Sequence, residues 1–211
     1  MEFNFYNINS NYCDYLRNYD KNIPYTMDNK ATRPFIGIVI KIEDINYYAP
    51  LTSPKEKHLK MKNQIDFLKI DNGNLGAINF NNMIPVTEDN ISKIEIKNIQ
   101  DKDYKNLLEN QLSWCNKKQN KQNILDKAKK LYDYINNPNN IKNVDRWEKI
   151  KYRCCDFKKL EQLAKVYTNN IKQDIQNKPK LSLKDKLDKN KKLIEESKNI
   201  ATKIKSNNRS L

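Results

Sequence analysis

The stretch Tyr47-Tyr48-Ala49-Pro50-Leu51-Thr52-Ser53-Pro54-Lys55-Glu56-Lys57-His58-Leu59-Lys60-Met61-Lys62 decides how this chain is read. Its first half is strand-like, with aromatic residues running into Ala49 and Leu51, side chains that suit a half-buried pleated surface. Pro50 and Pro54 are expected to stop the ladder, because proline offers no backbone N–H and fixes its own φ. Thr52 and Ser53 lie between them, at the strand end. Four cations follow at once, Lys55, Lys57, Lys60 and Lys62, together with His58, the sole histidine of the chain. Two hydroxyls held at a strand end beside ammonium groups suit a phosphodiester, whose growing negative charge calls for donors and positive charge. A proline-rich turn carrying solvated lysines accounts for the same residue types.

Outward from this stretch, Phe35–Ile42 reads as a buried strand rich in β-branched residues. A turn at Asp44-Ile45-Asn46 pairs it with the Tyr47–Leu51 strand as a hairpin. Phe3–Ile8 alternates and forms an opening strand. A short helix capped by Asn9 or Ser10 follows, with Tyr12, Tyr15, Leu16 and Tyr19 on one face. Tyr25 to Thr32 is a polar loop that delivers Arg33 to the next strand. For Lys55–Asn63 a helical turn and an extended arm both fit. Phe67–Ile70 and Leu75–Phe80 flank Asp71-Asn72-Gly73-Asn74, a hairpin signal. Met83–Val86 and Ile91–Ile96 complete a mostly antiparallel sheet. After Asp101 the apolar period becomes helical. Tyr104, Leu107, Leu108, Leu112 and Cys115 mark one helix, and Ile124, Ala128, Leu131, Tyr132 and Ile135 a second. Trp147 and Ile150, followed by Phe157, Leu160, Leu163, Ala164 and Tyr167, mark a third helical region.

The 211 residues carry a net charge of +14, which points to a polyanionic partner. Lysine, asparagine and isoleucine dominate, a bias that an AT-rich genome also produces. Residues 171–211 hold twelve Lys or Arg against five Asp or Glu. They read as a basic helical extension, either solvated or lying along RNA. Four cysteines, Cys13, Cys115, Cys154 and Cys155, lack C-x-x-C spacing and read as free thiols in a reducing cytoplasm. No apolar run approaches the roughly 20 residues that span a bilayer, so no membrane partner is expected.

The runs Phe35-Ile36-Gly37-Ile38-Val39, Tyr48-Ala49-Pro50-Leu51-Thr52-Ser53-Pro54-Lys55 and Lys57-His58 resemble the toxins of type III toxin–antitoxin systems, the ToxN/AbiQ group of endoribonucleases. The likeness continues through Phe67-Leu68-Lys69-Ile70, Gly76-Ala77-Ile78-Asn79 and Met83-Ile84-Pro85-Val86. Cys155-Asp156-Phe157 and Leu160-Glu161 match within the helices, and the likeness spans about residues 1–170. It implies an α+β fold, a twisted antiparallel sheet, barrel-like and related to the MazF/Kid toxins, flanked by helices. It also implies RNA cleavage without metal or cofactor, on cellular or phage mRNA. The implied partner is an antitoxin RNA of tandem pseudoknot repeats in a closed protein–RNA assembly. Thr52, Ser53 and Lys55 fall on the family's active-site run, and Arg33 takes the basic position before the strand. Tyr25 is the candidate for a tyrosine that the family's loop often brings near the site. The chain thus divides into a toxin domain, 1–170, and an extension, 171–211, without counterpart.

Cleavage of this kind uses the ribose 2′-hydroxyl as internal nucleophile and needs deprotonation, charge neutralisation and leaving-group protonation. Lys55 and Arg33 are assigned to charge, Thr52 and Ser53 to orienting the phosphate, and His58, whose intrinsic pKa lies near 6.5, to proton transfer. Lys57, Lys60, Lys62 and Tyr25 are expected to hold the strand. The sequence contains neither an acidic two-metal constellation nor a Gly-rich phosphate loop. A non-catalytic RNA-binding module and a DNA-binding regulator fit the charge as well, though the latter lacks a helix-turn-helix pattern.

Overall fold

The computed structural model describes residues 2–24, 34–137 and 141–177, with side chains through 169. Strand β1 (Asn4–Ile8) leads into helix α1 (Ser10–Arg17), where the Asn9 side chain accepts from the amides of Asn11 and Tyr12. Strands β2 (Phe35–Ile42) and β3 (Ile45–Thr52) form the central hairpin. A five-residue helix, α2 (Glu56–Lys60), resolves the choice left open between Lys55 and Asn63. Strands β4 (Phe67–Lys69), β5 (Ala77–Asn79), β6 (Ile84–Val86) and β7 (Ile91–Lys93) are three residues each. Helices α3 (Lys102–Asn116), α4 (Lys118–Asn136), α5 (Val144–Arg153) and α6 (Phe157–Asn177) follow. Residues 1–168 make one compact unit. Beyond Asn177 the expected basic extension lies outside the described residues.

The strands pair antiparallel in the order β4-β5-β3-β2-β1-β7, with β6 also on β3. Among the described residues the sheet is open, without the expected barrel-like closure. Closing a sheet needs strands long enough to tilt and stagger around an axis, and the end strands β4 and β7 are too short to meet. Mixed helix and open antiparallel sheet is the architecture.

Other expectations shift locally. Pro50 does not stop its strand; it pairs with Phe35 inside β3. The Leu51 amide donates to the Pro34 carbonyl on the β2 side. Amide directions alternate along a strand, so the missing Pro50 donor falls on the opposite edge. There β6 pairs only as far as Tyr48 and β5 begins at Leu51. The proline occupies the gap between two partner strands and costs no ladder bond. The hairpin turn sits at Glu43–Asp44, where Ile42 and Ile45 are the last pair, one residue earlier than read. β7 ends at Lys93 rather than Ile96, and the third helical region is two helices broken by Cys154-Cys155-Asp156.

Phe5, Phe35, Ile36, Leu51 and Ile84 from the sheet pack with Leu108, Ile124, Leu131, Phe157 and Leu160 from the helices. One buried carboxylate is set within this core. Glu161 Oε1 accepts from the Tyr47 hydroxyl at 2.9 Å and from the Tyr132 hydroxyl at 2.6 Å, while Lys158 reaches Oε2 at 3.2 Å. Burial and the Glu161 carboxylate push the Tyr47 phenol far above its ordinary range, so it stays a donor. Tyr47→Phe should therefore cost about 1–2 kcal/mol, read as a lower urea midpoint. Tyr152→Phe, on a ring 74% exposed, should leave the midpoint within about 0.5 kcal/mol of the parent.

Candidate active site

Thr52 is the last residue of β3, and the chain runs on to Lys55, itself extended, before α2 begins. The backbone there is pressed from one side by the β4–β5 loop. A Cβ added at Gly76 would lie 2.0 Å from the Thr52 carbonyl oxygen, and one at Gly73 would lie 2.8 Å from the His58 carbonyl. Both glycines have positive φ, +95° and +102°, a conformation side chains resist. The two glycines let one loop seat the end of β3 and the end of α2 together. Gln111 of α3 ties that loop in turn, donating to the Leu75 carbonyl at 2.6 Å.

Two cavities open on either side of this stretch. One, about 230 Å³, is lined by Pro34, Leu51, Thr52, Ser53, Lys55, Tyr104 and Gln111 among others. The second, about 510 Å³, joins Thr52, Lys55, Lys57 and His58 to Asp66, Asn79, Asn81 and Arg153. Thr52 and Lys55 line both, so together the cavities form a cleft astride the strand end. Among the described residues, neither the Ser53 hydroxyl nor the Lys55 ammonium has a protein hydrogen-bond partner. The Thr52 hydroxyl reaches only the Ser53 carbonyl, at 3.4 Å. These donors are available to a ligand.

The remaining sequence-picked residues fall unevenly. Lys57 lines the second cavity; Lys60 and Lys62 are exposed and line neither. Arg33 and Tyr25 lie outside the described residues. His58 is 2% exposed, its ring 5.8 Å from that of Phe67, and its Nδ1 is buried without a partner among the described residues. Burial, then Lys57 and Lys55, push the imidazole below its ordinary 6.5.

The sequence reading missed Asp66 and Arg153. The Asp66 carboxylate is buried and takes Arg153 Nε at 2.5 Å and Nη2 at 3.0 Å, a bidentate pair. The hydrogen bonds to Asp66 raise the Arg153 pKa above its already high value. Arg153 remains half exposed on the wall that faces Lys55 and Lys57. Nothing local announces the pair, since 87 residues separate its members. The available signal was scarcity: the chain has five arginines, Arg17, Arg33, Arg146, Arg153 and Arg209. Among the described residues, no three His, Cys, Asp or Glu side chains cluster as metal ligands would.

Hydroxyls, ammonium groups and a paired guanidinium line one cleft, and groups of this kind can hold a phosphodiester. A sequence model of the ToxN toxin of type III toxin–antitoxin systems matches residues 4–165. This chain belongs to the ToxN toxin family. Endoribonuclease ToxN of Bacillus thuringiensis subsp. kurstaki is 32% identical over 165 residues, covering 77% of this chain and 83% of that protein. Endoribonuclease ToxN of Pectobacterium atrosepticum is 35% identical over 139 residues, covering 62% and 80%. A solved type III system described for selective toxin inhibition by a non-coding RNA pseudoknot superposes with a TM-score of 0.69 at 30% identity. That match covers 80% of this chain and 99% of the solved one. AbiQ, a lactococcal anti-phage endoribonuclease, superposes with a TM-score of 0.67 at 25% identity, covering 80% and 99%.

The lowered His58 pKa makes a stability prediction. The folded state disfavours the charged imidazole, so no stability is lost above the unfolded value near 6.5. Stability then falls as pH drops from there through the folded-state pKa. Between about pH 7.5 and about pH 5.5 the melting temperature of the parent should fall further than that of His58→Gln. Equal falls would show that His58 titrates as in the unfolded chain.

Proposed function

We propose that this protein is the endoribonuclease toxin of a type III toxin–antitoxin pair, acting on cellular or phage mRNA in the cytoplasm. An RNA pseudoknot antitoxin silences it by filling the same cleft, within a closed protein–RNA assembly. The observation that carries the reading is the convergence of Thr52, Ser53 and Lys55 on one cleft, with the Ser53 and Lys55 donors uncommitted among the described residues. Family membership and the endoribonuclease relatives support it.

In the proposed reaction the ribose 2′-oxygen attacks phosphorus, forming a P–O2′ bond as the P–O5′ bond breaks. The 2′-hydroxyl gives up its proton and the departing 5′-oxygen gains one. The products are a 2′,3′-cyclic phosphate and a 5′-hydroxyl, with no net uptake of water, metal or cofactor. Lys55, Arg33 and Arg153 neutralise the phosphorane, whose extra charge a fixed guanidinium meets at no reorganisation cost. The Thr52 and Ser53 hydroxyls orient the non-bridging oxygens. An imidazole with a lowered pKa is neutral at pH 7 and suits acceptance of the 2′-hydroxyl proton, the role assigned to His58. Lys57, Lys60, Lys62 and Tyr25 hold flanking nucleotides, and the 171–211 extension adds sequence-independent affinity through its charge.

Incubation with RNA in EDTA should yield discrete fragments with cyclic phosphate and 5′-hydroxyl ends. Strict magnesium dependence, or 5′-phosphate products, would overturn the mechanism. Binding without any cutting would mark an RNA-binding module. Ser53→Ala should slow cleavage on the order of 10²–10³-fold, the usual loss of one transition-state donor. Its melting temperature should be unchanged, since Ser53 is exposed.

A further inference from the structure

We infer that the cleavage cleft continues as a single-stranded RNA track over helices α4 and α5, where Lys127, Lys130, Lys142 and Arg146 hold phosphates of nucleotides beyond the scissile one. This inference rests on the endoribonuclease reading above and adds to it a binding surface outside the Thr52–His58 stretch.

A groove of about 960 Å³ lies between the Asn63–Ile65 segment, α4 and α5. Gln64 lines both this groove and the cavity that holds Lys57 and Arg153, so the two adjoin there. Four cations line the groove against a single carboxylate, Asp126. That carboxylate is already engaged by Gln122 at 2.9 Å. None of the four cations forms an ion pair among the described residues. Lys129 of the same helix gives the contrast: it lines no part of the groove and pairs with Asp133 at 2.9 Å. Lys129 thus has its charge met by a carboxylate, while the four groove cations are left as a positive surplus.

The geometry favours an extended chain. Asn123, Lys127, Lys130 and Tyr134 recur every three or four residues, so they line one face of α4 over about 16 Å. Lys127 is anchored by donating to the Gln64 carbonyl at 2.6 Å, at the junction with the cleft. Burial and the neighbouring Lys130 depress the Lys127 pKa, a repulsion that a phosphate between them relieves. Asn63 and Asn123 supply amide groups for sugars and base edges, and the half-buried Tyr134 ring a face for stacking. Charge, amides and an aromatic along a path leading out of a phosphodiester cleft are what a single strand requires.

The test compares the parent with the double variant Lys130→Gln/Arg146→Gln, both sites being exposed. Two RNAs share one cleavage site, one of about 4 nucleotides and one of about 16. On the long RNA the variant should show KM raised on the order of tenfold with kcat unchanged; on the short RNA both constants should match the parent. The same RNAs carrying a 2′-deoxy sugar at the scissile position are titrated by fluorescence anisotropy at several salt concentrations. The variant should lose about 1.4 from the salt slope on the long RNA. A loss of that size in a protein that never cleaves would uphold the track and reject the catalytic reading. Unchanged KM and slope on the long RNA would overturn the track. Displacement of the long RNA by polyglutamate at equal charge concentration would overturn it in favour of a surface for acidic peptides.

Discussion

Strand β3 is paired along both edges, and the rest of the molecule depends on that constraint. On one side it runs against β2 from Ile45 to Pro50; on the other it is shared, Asn46–Tyr48 to β6 and Leu51–Thr52 to β5. A strand with both ladders filled has little freedom to slide or rotate. Its last residue is therefore delivered to one place. Pro50 is compatible because its missing donor faces the interval between β6 and β5. Gly76 then brings a second chain segment against the Thr52 carbonyl, closer than any side chain permits. Two reactive-type hydroxyls thus stand on backbone held from three directions, while the side chains themselves stay free.

The charges around that point differ in how they are held. Lys55 and Lys57 are exposed on flexible stems, so each position costs entropy when a phosphate fixes it. Arg153 has already been fixed, since Asp66 takes two of its N–H groups and leaves the remainder of the fork toward the cleft. Asp66 also lowers the mutual repulsion of the cations gathered there, which in a chain of net charge +14 is a standing cost. Pairing a buried carboxylate with Arg153, the one guanidinium on this wall among the described residues, gives stability and pre-organisation from one contact. The Glu161 cluster does the equivalent for the core, with two phenols and Lys158 satisfying a carboxylate between sheet and helices.

Much of this was legible in the sequence where the determining contacts are local. The β-branched run Phe35–Ile42, the Asp71–Asn74 turn and the apolar period of Ile124, Ala128, Leu131 and Ile135 each report on neighbours within one element. Thr52, Ser53 and Lys55 could be singled out for the same reason, since they stand together in one short stretch. What was not legible depends on partners far away in the chain. Whether Pro50 breaks a strand is decided by where β5 and β6 end. Whether His58 is solvated is decided by Phe67 and the β4–β5 loop. Whether the sheet closes is decided by the lengths of β4 and β7 together. The Asp66–Arg153 pair has no local signature at all, apart from an arginine standing where this composition usually places lysine.

Under the proposed function, a cleft of this kind faces a problem of discrimination. Lysine-dominated surfaces attract any nucleic acid, and counterion release rewards substrate and inhibitor alike. Charge therefore sets how fast and how tightly RNA arrives, and cannot by itself separate an RNA that is cut from one that silences. Separation has to come from shape: in-line attack needs a strand whose 2′-oxygen can rotate opposite its 5′-oxygen, whereas a folded RNA fixes its backbone by its own pairing. A cleft whose hydroxyls stand on a fixed backbone beside a paired guanidinium, with lysines on flexible stems, suits both tasks. The rigid part demands one phosphate geometry before chemistry proceeds, and the mobile part adapts to whichever backbone lies across it. Under the proposed function, the uncommitted donors on Ser53 and Lys55 are the groups for which substrate RNA and an RNA antitoxin compete.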